Sequence, residues 1–265
     1  MVKIVEIFAV SFLNLNQNYM DTNNVKTKIG YLLNNNKTAK ISEILIIFIL
    51  AYTLIKLLTP YAGDNLLLKM GIIWCTNIFM LFLVWLGIKL RGQKLSDFGL
   101  TFRRINLKES TRIILRSLLV CVLGILGYIL GTIIMANISG MPETADMSNY
   151  EYLHNNVFML ILSLLGVYIV SSFGEEVIYR AFLINRMTEL GLDSTYGKMA
   201  AVAIGAVIFG LAHYEWGPTG IVSTTFMGLV MGIFYLKFNK NLWILVLAHA
   251  YMDTLLLVPL YLASN

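Results

Sequence analysis

The chain has 265 residues, is 58% hydrophobic and only 13% charged, with a net charge of +5. A soluble domain is nearer a quarter charged, so this composition excludes an ordinary soluble protein. The positive excess lies in loops and forms no basic face, which excludes a nucleic-acid binder.

The first 40 residues are polar and asparagine-rich, with Asn34, Asn35 and Asn36 in a row, and read as a loosely ordered segment. A short helix around residues 3–13 fits the apolar run Ile4 to Leu13. That run is short, and asparagine-rich sequence rather than a small-residue cleavage site follows it, so no cleavable signal peptide is expected. Residues 41–265 read as one transmembrane domain. Its seven spans are expected at about 41–58, 70–90, 112–136, 157–187, 198–215, 219–237 and 242–260. Met70 to Ile88 and Ser117 to Pro142 contain no Asp, Glu, Lys or Arg, and a bilayer crossing needs roughly 20 apolar residues. The Leu and Ile runs are too long for alternating barrel strands. The expected fold class is therefore all-α, a polytopic helical bundle of about 7–8 spans. Cys75 and Cys121 both fall inside spans and read as buried, inert thiols.

Basic residues set the orientation. Lys89, Arg91, Lys94, Arg103, Arg104, Lys108, Arg112 and Arg116 surround the loop after the second span. Lys26, Lys28, Lys37 and Lys40 precede the first, and Lys237 and Lys240 join the last two. The segment 137–156 carries Glu143, Asp146 and Glu151 and no Lys or Arg. Seven spans with the N-terminus inside put these basic segments on the cytoplasmic side. Lys56 and Lys69 are the exceptions, at an outer edge where a lysine can snorkel. No internal repeat is visible, which counts against a secondary transporter.

The fourth span contains Phe173-Gly174-Glu175-Glu176-Val177-Ile178-Tyr179-Arg180. Charges at bilayer depth are expensive and mark function by default. At 1.5 Å per residue, Glu175 lies roughly 16 Å in from Arg186, and His213 roughly 22 Å in from Lys198. From Asn241, His249 lies roughly 12 Å in and Asp253 roughly 18 Å. Three spans thus bring Glu175, His213, His249 and Asp253 to similar depth. Residues four apart share a helix face, so Glu176 can pair with Arg180, Phe209 sits beside His213, and His249 beside Asp253. Glu176–Arg180 reads as a structural ion pair. Glu175 points about 100° away from Glu176 and has no local cation. His154, in the acidic loop, reads as an ordinary solvated residue.

A carboxylate beside a histidine can act as general base on a water. The second histidine and Asp253 could polarise a carbonyl and stabilise an oxyanion. Zinc on the same residues is the alternative, although no His-Glu-x-x-His is present. A Gly-x-Ser-x-Gly elbow and glycine-rich phosphate loops are absent from the sequence.

Glu175-Glu176-x-x-x-Arg180, Phe209-x-x-x-His213 and His249-x-x-x-Asp253, in this order on successive spans, resemble the CPBP family of CAAX proteases and bacteriocin-processing enzymes, also called Abi proteins. The resemblance covers about residues 155–260. It implies an intramembrane endopeptidase in which Glu175 activates water with help from His213. His249 and Asp253 would bind the oxyanion, and Glu176 and Arg180 would orient. It implies no cofactor; a zinc alternative would use His213, His249 and Glu175. In eukaryotic members the last motif usually ends in Asn, and a carboxylate at Asp253 cannot donate to an oxyanion unless protonated. The implied partner is a membrane-associated peptide or protein. The settings the resemblance implies are prenylated-tail trimming, bacteriocin maturation, self-immunity or regulation of peptide signalling; the compact, asparagine-rich composition itself suits the lipid bilayer of a prokaryotic cytoplasmic membrane. A non-catalytic immunity or partner-binding protein on the same scaffold is the second reading, and a transporter comes last.

Overall fold

The structure, a computed structural model, describes residues 25–140 and 148–263. The helix expected around residues 3–13, and Glu143 and Asp146 of the acidic loop, lie outside the described residues. Among those described there are helices and no strands. They are α1 (Val25–Asn35), α2 (Lys37–Ala62), α3 (Leu66–Leu90), α4 (Leu107–Ser139), α5 (Val157–Glu189), α6 (Thr195–Ala212), α7 (Gly217–Lys237) and α8 (Leu242–Ala263). All but α1 are long and apolar enough to cross a membrane. The chain is an integral, multi-pass membrane protein.

Helices α2, α3, α4 and α6 start three to five residues before the apolar runs, because polar caps precede them, whereas α5 and α8 start where expected. The side chains of Asn36, Asn65, Asn106 and Asn156 accept from backbone N–H groups in the first turns of α2, α3, α4 and α5, and Ser194 does the same for α6. Each satisfies a donor that would otherwise have no partner at a helix start. Much of the asparagine content is capping chemistry.

The bundle is centred on α5. From Val177 to Met187 every residue of α5 is buried, and α3, α6 and α8 pack around it. That enclosure explains how one span can carry several charges. The outer rim is apolar and turned outward, as at Ile46, Phe82, Leu126 and Leu130. Cys121 is buried as expected; Cys75 is exposed on the outward face of α3, because its neighbour Thr76 takes the inward position.

The longest contact runs between α4 and α7. Gly127 and Gly131 bring the backbones together, and the hydroxyls of Thr132 and Ser223 hydrogen-bond across the seam at 2.9 Å. Small residues allow this approach where apolar burial gives no net attraction over lipid.

At the end bearing the basic loops, charges are buried and paired. Arg91 of the α3 cap meets Glu43 of α2 and lies 3.2 Å from Glu189 of α5. Arg186 lies 3.2 Å from Glu43 and 2.7 Å from Glu189, and donates to Gln93 at 2.9 Å. The segment after α3 then docks onto the turn between α7 and α8. Phe98 lies under the Arg186 guanidinium, 5.3 Å away. Leu242 N–H donates to Gly99 O, and Trp243 Nε1 donates to Thr101 O. Gly99 has φ 85°, and a Cβ there would stand 1.5 Å from Lys240 O. Only glycine meets both demands.

A Cβ at Gly131 would stand 2.6 Å from Ser223 Cα. Gly131→Leu should therefore push α4 off α7 and cost about 1–3 kcal/mol. A lowered thermal midpoint in detergent is the expected readout, with Leu130→Ala on the outward face as the near-neutral control.

Candidate active site

Between Tyr168 and Ile184, α5 adopts wider, π-type winding. Such segments are uncommon and cluster at functional sites. Residues four apart still stack, so Ser172, Glu176 and Arg180 form one column and Ser171 and Glu175 the next. The turn between Glu175 and Glu176 is accordingly smaller than the 100° expected of an α-helix. Gly174, on the other side of the helix, lets α3 approach: its Cβ position lies 3.2 Å from Leu81 Cδ1.

Glu176 is fully buried, and two groups converge on its Oε1. His249 Nδ1 lies 2.9 Å away and donates to it. Arg180 Nη1 also lies 2.9 Å away, but off the hydrogen-bond axis, so this contact is mainly Coulombic. A carboxylate can only accept, so Glu176 holds the proton of His249 on Nδ1. The expected Glu176–Arg180 pair is present, and it has a third member that the spacing did not indicate.

The opposite edge of the ring, Nε2, looks into the site. Glu175 Oε2 and Asp253 Oδ1 each stand 3.9 Å from it. Ser171 Oγ stands 3.4 Å from it. Ser172 Oγ donates to Asp253 Oδ2 at 2.7 Å. Glu175 Oε2 is buried, and no hydrogen-bond donor among the described residues reaches it. Desolvating a carboxylate oxygen without a donor is costly, and this is the oxygen that faces His249.

Phe209 joins α6 to this group. Its ring is fully buried, with the Arg180 guanidinium 4.3 Å from the centroid. It meets Tyr179 edge-on at 5.0 Å, His213 at 4.7 Å and His249 at 6.4 Å. The span expected over 198–215 ends earlier, at Ala212, and His213 is its cap residue with φ −97°. The reason lies downstream. A short turn, Tyr214–Trp216, and Gly217 at φ 69° lead into Pro218 at the start of α7, and a residue before proline is steered away from helix. His213 Nδ1 bonds Phe209 O at 2.8 Å, and its ring lies 4.8 Å from Trp216. It thus stands behind Phe209, while His249 faces Glu175.

The structure therefore assembles Glu175, Glu176, Arg180, His249 and Asp253 directly, with Phe209 and then His213 behind them. Ser171 and Ser172 belong to the site and were not singled out from sequence. The available signal was their position four residues before Glu175 and Glu176. Among the described residues, no group of three or more His, Cys, Asp and Glu side chains is arranged to hold a metal ion. His213, the third candidate zinc ligand beside Glu175 and His249, is turned to Phe209 and Trp216. His154 is exposed, beside Asn155 Nδ2 at 3.0 Å.

Residues 157–255 match the family model described as Type II CAAX prenyl endopeptidase Rce1-like. The matched 99 of 265 residues are similar to this endopeptidase family, which supports a membrane protease. Comparisons with curated proteins and with solved structures each found no match. The matched stretch runs from α5 into α8 and contains every residue of the site above.

Arg180→Ala would leave Glu176 as a buried carboxylate short of one cation. The expected cost is about 3–5 kcal/mol, read as a fall in thermal midpoint and yield. Arg180→Lys should recover only part of it, because a lysine keeps the charge but lacks the planar group that stacks on Phe209.

Proposed function

We propose that Glu175 activates a water for hydrolysis of a peptide bond at the membrane, without a metal. The observation that carries this reading is the division between the two adjacent carboxylates. Glu176 is neutralised by Arg180 and His249. Each carboxylate keeps one buried oxygen without a donor, but Glu175 has no arginine or lysine partner among the described residues, and its oxygen stands 3.9 Å from His249 Nε2.

The steps follow from these positions. Glu175 takes a proton from water as the water oxygen attacks the scissile carbonyl carbon. The carbonyl oxygen becomes an oxyanion that accepts from His249 Nε2, with His249 as the imidazolium, protonated on both ring nitrogens and balanced by Glu176. Glu176 and Arg180 hold His249 from behind, in a site largely closed to solvent, where a fixed donor is worth more than in water. The tetrahedral intermediate collapses, the C–N bond breaks, and Glu175 returns its proton to the leaving amine. His213 supports Phe209, which in turn carries Arg180. The three-carboxylate, one-histidine surroundings favour acid–base chemistry, so this reading needs no cofactor, and zinc is the alternative.

The family description names prenyl endopeptidases, and a peptide anchored by its own lipid or apolar segment fits a site inside a helical bundle. We infer a membrane-associated peptide or protein substrate with a Cys-a-a-X-like end. Bacteriocin maturation or self-immunity in a prokaryotic cytoplasmic membrane is the setting, with the N-terminus inside.

Glu175→Gln and Glu175→Ala should lower kcat by about a hundredfold or more on a lipidated Cys-a-a-X peptide in proteoliposomes, with normal expression and thermal midpoint. Full activity in either variant would remove Glu175 from the mechanism. A strong chelator should leave the rate unchanged; a loss that added zinc restores would replace this scheme with a metal-dependent one.

A further inference from the structure

We propose that the Ser171 hydroxyl is a catalytic group, the second donor to the oxyanion beside His249; this rests on the water-activation reading above. The need arises from the composition of the site. Around His249 Nε2 stand Glu175, Asp253 and Ser171. The first two offer only acceptors as carboxylates. Ser171 is the member of that set with a hydrogen to give.

The geometry suits the role. Ser171 Oγ and His249 Nε2 are 3.4 Å apart. An oxygen placed at ordinary hydrogen-bond distance, about 2.8–3.0 Å, from both is therefore possible. Ser171 is also within hydrogen-bonding reach of Asp253. Asp253 thus gives its proton a resting acceptor, and rotation about the Cβ–Oγ bond redirects it to the developing oxyanion. No covalent bond to Ser171 is formed at any step.

The neighbouring column explains why Asp253 does not take this part. Ser172 Oγ donates to Asp253 Oδ2, which fixes that oxygen and leaves Oδ1 towards His249 Nε2. An asparagine at this position would keep its carbonyl on Ser172 and turn its NH2 to the place Oδ1 now holds. It would supply the donor that the carboxylate lacks. Ser171 and an amide at position 253 are thus alternative sources of one hydrogen bond.

The test is a two-residue cycle in proteoliposomes with a lipidated Cys-a-a-X peptide. Ser171→Ala should lower kcat about a hundredfold, the usual loss for one oxyanion donor, with KM and thermal midpoint unchanged. In the Asp253→Asn background the same change should cost less than tenfold. Glu175→Gln runs alongside. An inactive Glu175→Gln with a fully active Ser171→Ala overturns the role of Ser171 alone, and full activity in both overturns the water-activation reading with it. A Ser171→Ala loss that Asp253→Asn does not relieve overturns the donor role. So does labelling of Ser171 by a fluorophosphonate, which would make it a nucleophile with His249 and Glu176 behind it.

Discussion

One buried carboxylate organises the centre of this protein. Glu176 sits in the most enclosed part of the bundle, and an isolated ion there would be prohibitively unstable. It survives because α5 brings Arg180 to it from the next turn and α8 brings His249 from across the core. The consequence reaches outward in both directions. Arg180 requires the face of Phe209, which fixes α6. His249 is left with one free edge, and that edge is where Glu175, Asp253 and Ser171 meet. The arrangement of reactive groups follows from neutralising a single inert one.

The two glutamates divide the requirements of such a site. A group that performs proton transfer must be free to change its charge, and a group that holds the machinery must not. Adjacent positions on a helix point in different directions, so neighbouring residues of one type acquire different surroundings. The wider winding of α5 narrows the angle between the two glutamates, yet each still stacks over its own serine. Both glutamates keep a buried oxygen without a donor; Ser172–Glu176–Arg180 carries its own cation, whereas Ser171–Glu175 meets only the His249 ring edge.

The architecture was legible in the sequence because uncharged runs of twenty residues have few other uses. Several spans came out shorter than the helices, in part because asparagine caps precede polar first turns that hydropathy counts as loop. Glu176–Arg180 was readable from its spacing. His249 on Glu176 was not, because contacts between α5 and α8 carry no local period. His213 was read as lying within α6, but the helix ends at Ala212, before Gly217 and Pro218, and the ring turns to Phe209 and Trp216. The serines were passed over because a hydroxyl in an apolar span is common, and its partner decides its meaning. Interhelical polar contacts of this kind are where one-dimensional reading gives out.

The family match begins at α5, yet α5 does not end at a boundary the chain could be cut along. Its last turns carry Arg186 and Glu189, and their counter-charges come from Lys40, Glu43 and Arg91, contributed by α2 and α3. Phe98, from the segment that follows, closes over the same arginine. A fragment reduced to the matched stretch would leave Arg186 with Glu189 alone and lose the Glu43, Arg91 and Gln93 contacts that enclose the pair. The early spans are therefore not a separable anchor; they complete the buried ion-pair network of α5, and changes in them have a route of packed charge to the reactive helix.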